Sequence, residues 1–180
     1  MSGQINTMKD IIGYAAETYG ENPAIRYKVR KEVITKTYKD IKKDSEAFSR
    51  ALDHMGMLGK HVAVIGPTTY EWIITYFGAA NSGCVIVPLD AQLPAADVCE
   101  LLNRADISVL VYDELRRDVG EMAGEKCPGI QRMVSMQAKE STEKVMSLQR
   151  LLKIHAGSFS CSLEPDKLCA ILFTSGTTGK

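Results

Sequence analysis

The densest run of chemistry-bearing side chains lies at residues 174–179: Thr174, Ser175, Gly176, Thr177, Thr178 and Gly179. Four hydroxyls and two glycines in six positions suit a polyphosphate ligand. The glycines let the backbone take positive φ and turn several amides toward one anion, and the hydroxyls add donors without bulk. An ordinary polar turn would use one or two such residues. Spacing separates this run from two other phosphate loops. A P-loop needs a glycine five residues before its Gly-Lys pair, and the residue five before Gly179 is Thr174. A dinucleotide fingerprint needs Gly-x-Gly-x-x-Gly behind a strand. Gly176 and Gly179 supply only its last pair, and Gly66 stands alone behind the apolar run at 61–65.

Other candidates carry less chemistry. His54, His61 and His155 fall in separate predicted elements, with no pair at ligand spacing on one face, so no metal site is expected. The five cysteines (Cys84, Cys99, Cys127, Cys161, Cys169) are odd in number and form no Cys-x-x-Cys pair, which points to reduced thiols and a cytoplasmic protein. Cys84, Cys99 and Cys169 sit in apolar runs, where free cysteine behaves as a small hydrophobe. Arg116 and Arg117 read as a solvated pair of charges, Asp90 as a turn residue behind Pro88, and Trp72 as core. No Ser/His/Asp or Cys/His set can be assembled, so no catalytic residue is expected in this chain.

The elements that would position the loop follow from periodicity. Apolar residues at Met8, Ile11, Ile12, Ala15 and Tyr19 have helical spacing, with Gly20 as the stop. Residues 24–29 and 33–38 form a predicted hairpin. A second helix begins near Thr37, whose hydroxyl can accept the amide of Asp40, and it carries Ile41, Phe48, Leu52 and Met55 on one face. A strand-then-helix rhythm follows. Strands are expected at 61–65, at 84–87 (ended by Pro88), at 107–111 and at 130–135. The helix after the first of these has Thr68 and Glu71 as a capping box and runs through Trp72, Ile73, Tyr76, Phe77 and Ala80. Pro94 opens the next helix, and 114–129 holds a short helix plus a loop. Residues 137–142 form a surface connection, and a last short helix spans 148–155. Residues 168–173 form a wholly apolar run, predicted as a strand buried on both faces. Such alternation gives an α/β domain of three layers, a mainly parallel sheet covered by helices, with the hairpin near its N-terminus.

Bulk properties narrow the partners. Lys plus Arg and Asp plus Glu both total 22, so the net charge of +0 offers nothing to nucleic acid. No apolar stretch approaches the roughly 20 residues that span a bilayer, and the N-terminus has no leader pattern.

Residues 174–179 resemble the signature of the AMP-forming ligase superfamily: acyl-CoA synthetases, luciferases and the adenylation domains of peptide synthetases. There the run reads TSGTTG-x-PKG behind an apolar strand and wraps the β- and γ-phosphates of ATP. Thr174, Ser175, Gly176, Thr177, Thr178 and Gly179 match in turn, and Lys180 falls on the variable position rather than on the family's lysine. Shorter similarities at 23–25, 37–41, 59–64 and 87–90 keep the family's order along nearly the whole chain. Among relatives, long-chain fatty acyl-CoA synthetases are the most similar in pattern.

The resemblance implies a two-step ligation. A carboxylic acid attacks the α-phosphorus of ATP with Mg2+, giving acyl-adenylate and pyrophosphate, and coenzyme A then displaces AMP. It also implies that residues 1–180 are the N-terminal portion of the AMP-binding domain, ending within the phosphate loop. The isolated piece is then expected to be inactive, and to self-associate weakly through apolar surface that the rest would cover. The competing reading is a stand-alone nucleotide-binding or regulatory module without ligase activity.

Overall fold

In the computed structural model, residues 5–174 of the chain are described. Helix α1 (Met8–Tyr19) starts at a reciprocal cap, in which Thr7 accepts the amide of Asp10 while the Asp10 carboxylate accepts the amide of Thr7. Strands β1 (Pro23–Val29) and β2 (Glu32–Thr37) form an antiparallel hairpin. Thr37 and Asp40 repeat the reciprocal cap at the head of α2 (Tyr38–His54). Each box satisfies amides that a helix start leaves without partners.

The remaining elements alternate: β3 (His61–Ile65), α3 (Tyr70–Asn81), β4 (Val85–Leu89), α4 (Ala95–Arg104) and β5 (Ile107–Tyr112). A 3-10 turn (Glu114–Arg116), α5 (Arg117–Lys126), β6 (Arg132–Ser135), β7 (Met146–Ser147) and α6 (Leu148–Ile154) complete the series. The five strands β3 to β7 form one parallel sheet in the order β4-β3-β5-β6-β7. One face packs on α1, α2, α3 and α6 around Phe48, Leu52, Ile74, Val62, Val109 and Leu148. The other packs on α4 and α5 around Ile65, Val98, Leu102, Leu110 and Val119. Consecutive residues of a strand point to opposite faces, so strands clad on both sides are mostly apolar; all six residues of β5 are buried, Ser108 being the one small polar residue among them. The expected three-layer α/β architecture is the one observed.

Four local expectations are corrected. The cap of α3 is Thr69, not Thr68: the Thr69 amide bonds the Pro67 carbonyl (2.7 Å), which uses Thr68 in the turn and leaves Thr69 Oγ1 to accept the Trp72 amide (3.3 Å). Glu71 then falls one position short of a capping box. On α3 the fully buried face carries Ile74 and Gly78, while Trp72, Ile73, Tyr76 and Phe77 are only partly buried against the same core. Helix α2 causes this by crossing close by: a Cβ on Gly78 would meet the Ser45 carbonyl oxygen at 2.7 Å and Phe48 Cδ1 at 2.9 Å.

Pro88 does not end β4 but lies within it, opposite Val64. The amides of Val85 and Ile86 point to opposite edges, Val85 bonding the Lys60 carbonyl and Ile86 the Cys169 carbonyl. By the same alternation the missing N–H of Pro88 faces outward, where an edge strand tolerates proline. This explains the fourth correction. Residues 168–173 reach β4 through one parallel bridge, Ile86 to Ala170, with Ile171 donating to the Ile86 carbonyl (3.0 Å). The next rung would need an amide at position 88, and the ladder stops. Ala170 packs on one core, Ile171 and Phe173 on the other. Leu168 and Leu172 are 56% and 67% exposed, so this segment is not buried on both faces.

Candidate functional site at the carboxyl edge of the sheet

Ligands of open parallel sheets bind beyond the carboxyl ends of the strands. Counted on from the bridge at Ala170, which lies parallel to β4, Phe173 and Thr174 come level with Leu89 and Asp90 at that edge. Thr174 is exposed there. The other residues of the loop, Ser175, Gly176, Thr177, Thr178 and Gly179, lie outside the described residues. The fold thus delivers the start of the hydroxyl- and glycine-rich run to the edge where phosphate amide cradles form.

The neighbouring strand ends are joined by a polar network. Gly66, just past β3, has φ 147° and lies against Asp113, just past β5. The Asp113 amide donates to the Ile65 carbonyl (2.9 Å), binding the two strand ends together. Its carboxylate accepts the Leu115 amide at 2.9 Å and Gln137 Nε2 at 2.6 Å. Gln137 in turn accepts the Glu114 amide (2.9 Å). Glu114 accepts Ser135 Oγ–H at 2.5 Å and a two-pronged contact from Arg117 at 2.9 and 2.7 Å. The Ser135 hydroxyl, and after it the Arg117 guanidinium, hold the Glu114 carboxyl below its ordinary range.

Arg116 overturns the reading of a solvated pair. It is buried, 8% exposed, with a two-pronged contact to Asp118 (3.0 and 3.1 Å) and a third bond to the Ala91 carbonyl (2.7 Å). That last bond ties the turn after β4 to the head of α5. Arg116 also depresses the Asp118 carboxyl by hydrogen bonding. Asp90 is the turn residue expected, its Oδ1 accepting the Gln92 amide (2.8 Å).

These groups hold strand ends and loops at fixed spacing and present no nucleophile with an adjacent base. The sequence reading missed Asp113, Gln137 and Ser135; the signal for Asp113 was an Asp directly after a buried, mostly apolar strand, where a cap is needed. Among the described residues no group of three or more His, Cys, Asp or Glu side chains could hold a metal ion. All five cysteines are free thiols. Burial, then the adjacent Cys99, pushes the Cys127 thiol up to about 12. No helix among the described residues is long and apolar enough to cross a membrane.

The family of AMP-binding enzymes matches residues 13–180, and the chain belongs to that family. It is 25% identical, over its whole length, to a 3-[(3aS,4S,7aS)-7a-methyl-1,5-dioxo-octahydro-1H-inden-4-yl]propanoyl:CoA ligase of Rhodococcus jostii, covering 37% of that protein. It is 27% identical, over 98% of its length, to the fatty acid–[acyl-carrier-protein] ligase ScoC of Streptomyces coeruleorubidus, covering 32% of it. The chain therefore spans about a third of the length of these relatives. Among solved structures, the anthranilate CoA ligase AuaEII superposes over 96% of this chain and 33% of its own, with TM-score 0.84 and 17% identity. A long-chain-fatty-acid–CoA ligase from Archaeoglobus fulgidus superposes over 95% of this chain and 35% of its own, with TM-score 0.81 and 19% identity. At such identities these structures establish the shared fold.

Proposed function

We propose that residues 1–180 are the N-terminal portion of the adenylating domain of an ATP-dependent, AMP-forming acid–thiol ligase. The single observation that carries this reading is the placement of Thr174. The segment that ends at Thr174 reaches the carboxyl edge of the sheet beside β4 through the Ile86–Ala170 bridge, inside the stretch that the family of AMP-binding enzymes matches.

In this reading Thr174, Ser175, Gly176, Thr177, Thr178 and Gly179 bind the β- and γ-phosphates of ATP. Their amides and hydroxyls meet the negative charge that builds on pyrophosphate as a carboxylate oxygen attacks the α-phosphorus. Donors fixed in place before reaction stabilise such charge without reorganising. The bonds of Asp113, Glu114, Gln137 and Arg116 keep the neighbouring strand ends and turns at fixed spacing. The acid is a fatty acid and the thiol coenzyme A. Relatives named for fatty acids, and others named as CoA ligases, support that choice without fixing it, because their printed substrates differ.

A panel of carboxylic acids tested with ATP, Mg2+ and coenzyme A on the full ligase, read by pyrophosphate release, tests the proposal. AMP and pyrophosphate as products, with fatty acids preferred, support it. ADP and phosphate as products would reject the reaction class. Pyrophosphate release that needs a carrier protein instead of coenzyme A would correct the acceptor alone.

A further inference from the structure

The sequence scatters its histidines, but the fold brings two of them together. His54 ends α2 and His155 follows α6, and their ring centres lie 5.0 Å apart with planes tilted by 47°. His54 is exposed and His155 half-buried, so the pair opens to solvent. Among the described residues, the only histidine ring nitrogen with a hydrogen-bond partner belongs to His61, whose Nδ1 lies 2.6 Å from the Ala105 carbonyl oxygen. All four ring nitrogens of His54 and His155 therefore stand without a partner among the described residues.

The separation fits a shared ion. Two imidazoles that bind one ion through single nitrogens at about 2.0–2.1 Å have ring centres about 5 Å apart when the nitrogen–metal–nitrogen angle is near tetrahedral. The local field also favours a cation. His54 lies in the last turn of the 17-residue α2, whose carbonyl end carries negative partial charge. Asp53 precedes it on the exposed side. Arg50 opposes: its guanidinium donates to the Ser158 carbonyl (3.3 Å) beside the pair and lowers the affinity for any cation.

We propose that His54 and His155 form a surface site for one divalent transition ion that prefers imidazole, of the Zn2+ or Ni2+ kind, with water completing its coordination. Among the described residues no third His, Cys, Asp or Glu side chain joins the pair, so the site is a weak one. An ion held there pins the end of α2 to the chain at residue 155. From that point residues 156–167 run to the bridge on β4, and the ion anchors the near end of the segment that positions Thr174.

Titration of the reduced protein with NiCl2, in a buffer free of imidazole and chelators, tests the site by calorimetry. One ion per chain is expected, with micromolar affinity, weakened about tenfold or more by either H54Q or H155Q. C161S and C169S should leave the titration unchanged. Because His54 is exposed, H54Q keeps the fold and decides the matter even if H155Q loosens α6. Absence of saturable binding, unchanged affinity in H54Q, or loss of binding in a cysteine variant would each overturn the proposal. In those cases the two rings form a packing contact, or the thiols bind the ion.

Discussion

The contact between Gly66 and Asp113 offers a sharp test of how the site edge is built. Gly66 has φ 147°, a region that side chains other than glycine seldom enter, and forcing alanine there costs about 1–3 kcal/mol. The new methyl would also fall inside the contact radius of Asp113 Cβ. Asp113 cannot step aside cheaply, because its amide bonds Ile65 at 2.9 Å and its carboxylate bonds Leu115 at 2.9 Å and Gln137 at 2.6 Å. Overpacking of this kind adds about 1–3 kcal/mol. G66A should therefore lose about 2–6 kcal/mol, a large share of the 5–15 kcal/mol that holds a typical domain. G59A is the control: its φ of 73° is also positive, but no atom lies within 4 Å of the added Cβ, so only a backbone cost of about 1–2 kcal/mol applies. Urea unfolding followed by circular dichroism, and by the fluorescence of the single tryptophan, Trp72, gives both values. In a D113G background the cost of G66A should fall to the backbone part. A loss below about 1 kcal/mol for G66A, or one equal to that of G59A, would refute the packing argument.

F48A removes a fully buried ring between α2 and α3 and should cost about 3–5 kcal/mol in urea midpoint measurements; a loss under about 1.5 kcal/mol would mean the helices close over the gap. Asp10 and Asp40 are both held below the ordinary carboxyl value, Asp10 chiefly by the Thr7 hydroxyl and Asp40 chiefly by the Thr37 amide. Carboxyls lowered in the folded state contribute stability above their unfolded pKa of about 3.9 and lose it as pH falls through the folded value. Stability should accordingly decline as the pH is lowered below about 4, and D10A/D40A should flatten that decline while costing about 1 kcal/mol per cap at neutral pH. An unchanged slope in the double variant would contradict the caps as its source. Leu168 and Leu172 lie exposed beside an unfinished ladder, so the isolated chain should self-associate in a light-scattering concentration series and L172E should reduce it. A clean monomer at high micromolar concentration would show that this edge attracts no partner.

Much of the fold was legible because strand and helix periods are both strong here. The largely apolar runs at 61–65 and 107–111, and the spacing Ile41, Phe48, Leu52, admit few other readings. The caps at Thr37 and Asp40 followed from local chemistry alone. What failed depended on neighbours that the linear sequence does not display. Arg116 is buried because the Ala91 carbonyl and Asp118 close around it. Gly78 is core because α2 crosses there, which leaves the more apolar Trp72 and Tyr76 stacked at the margin, their ring centres 5.4 Å apart. Pro88 looked like a strand end because a proline lacks an amide, but that loss matters only on the edge it faces. The two halves of the His54–His155 pair are a hundred residues apart, and only the packing of α6 on α2 unites them. The loop's residue types were plain in the sequence; the placement of Thr174 at the carboxyl edge came from the Ile86–Ala170 bridge.

The most direct test of the central claim is ATP- and carboxylate-dependent pyrophosphate release by the full ligase, compared between the native loop and the variants S175A and T178A. If residues 174–179 stabilise the pyrophosphate leaving group, each variant should lose about 10- to 1,000-fold in turnover, in line with the loss of a preorganised donor. The isolated 180-residue chain should release none above a blank. Turnover unchanged in both variants, or turnover by the isolated chain, would contradict the account.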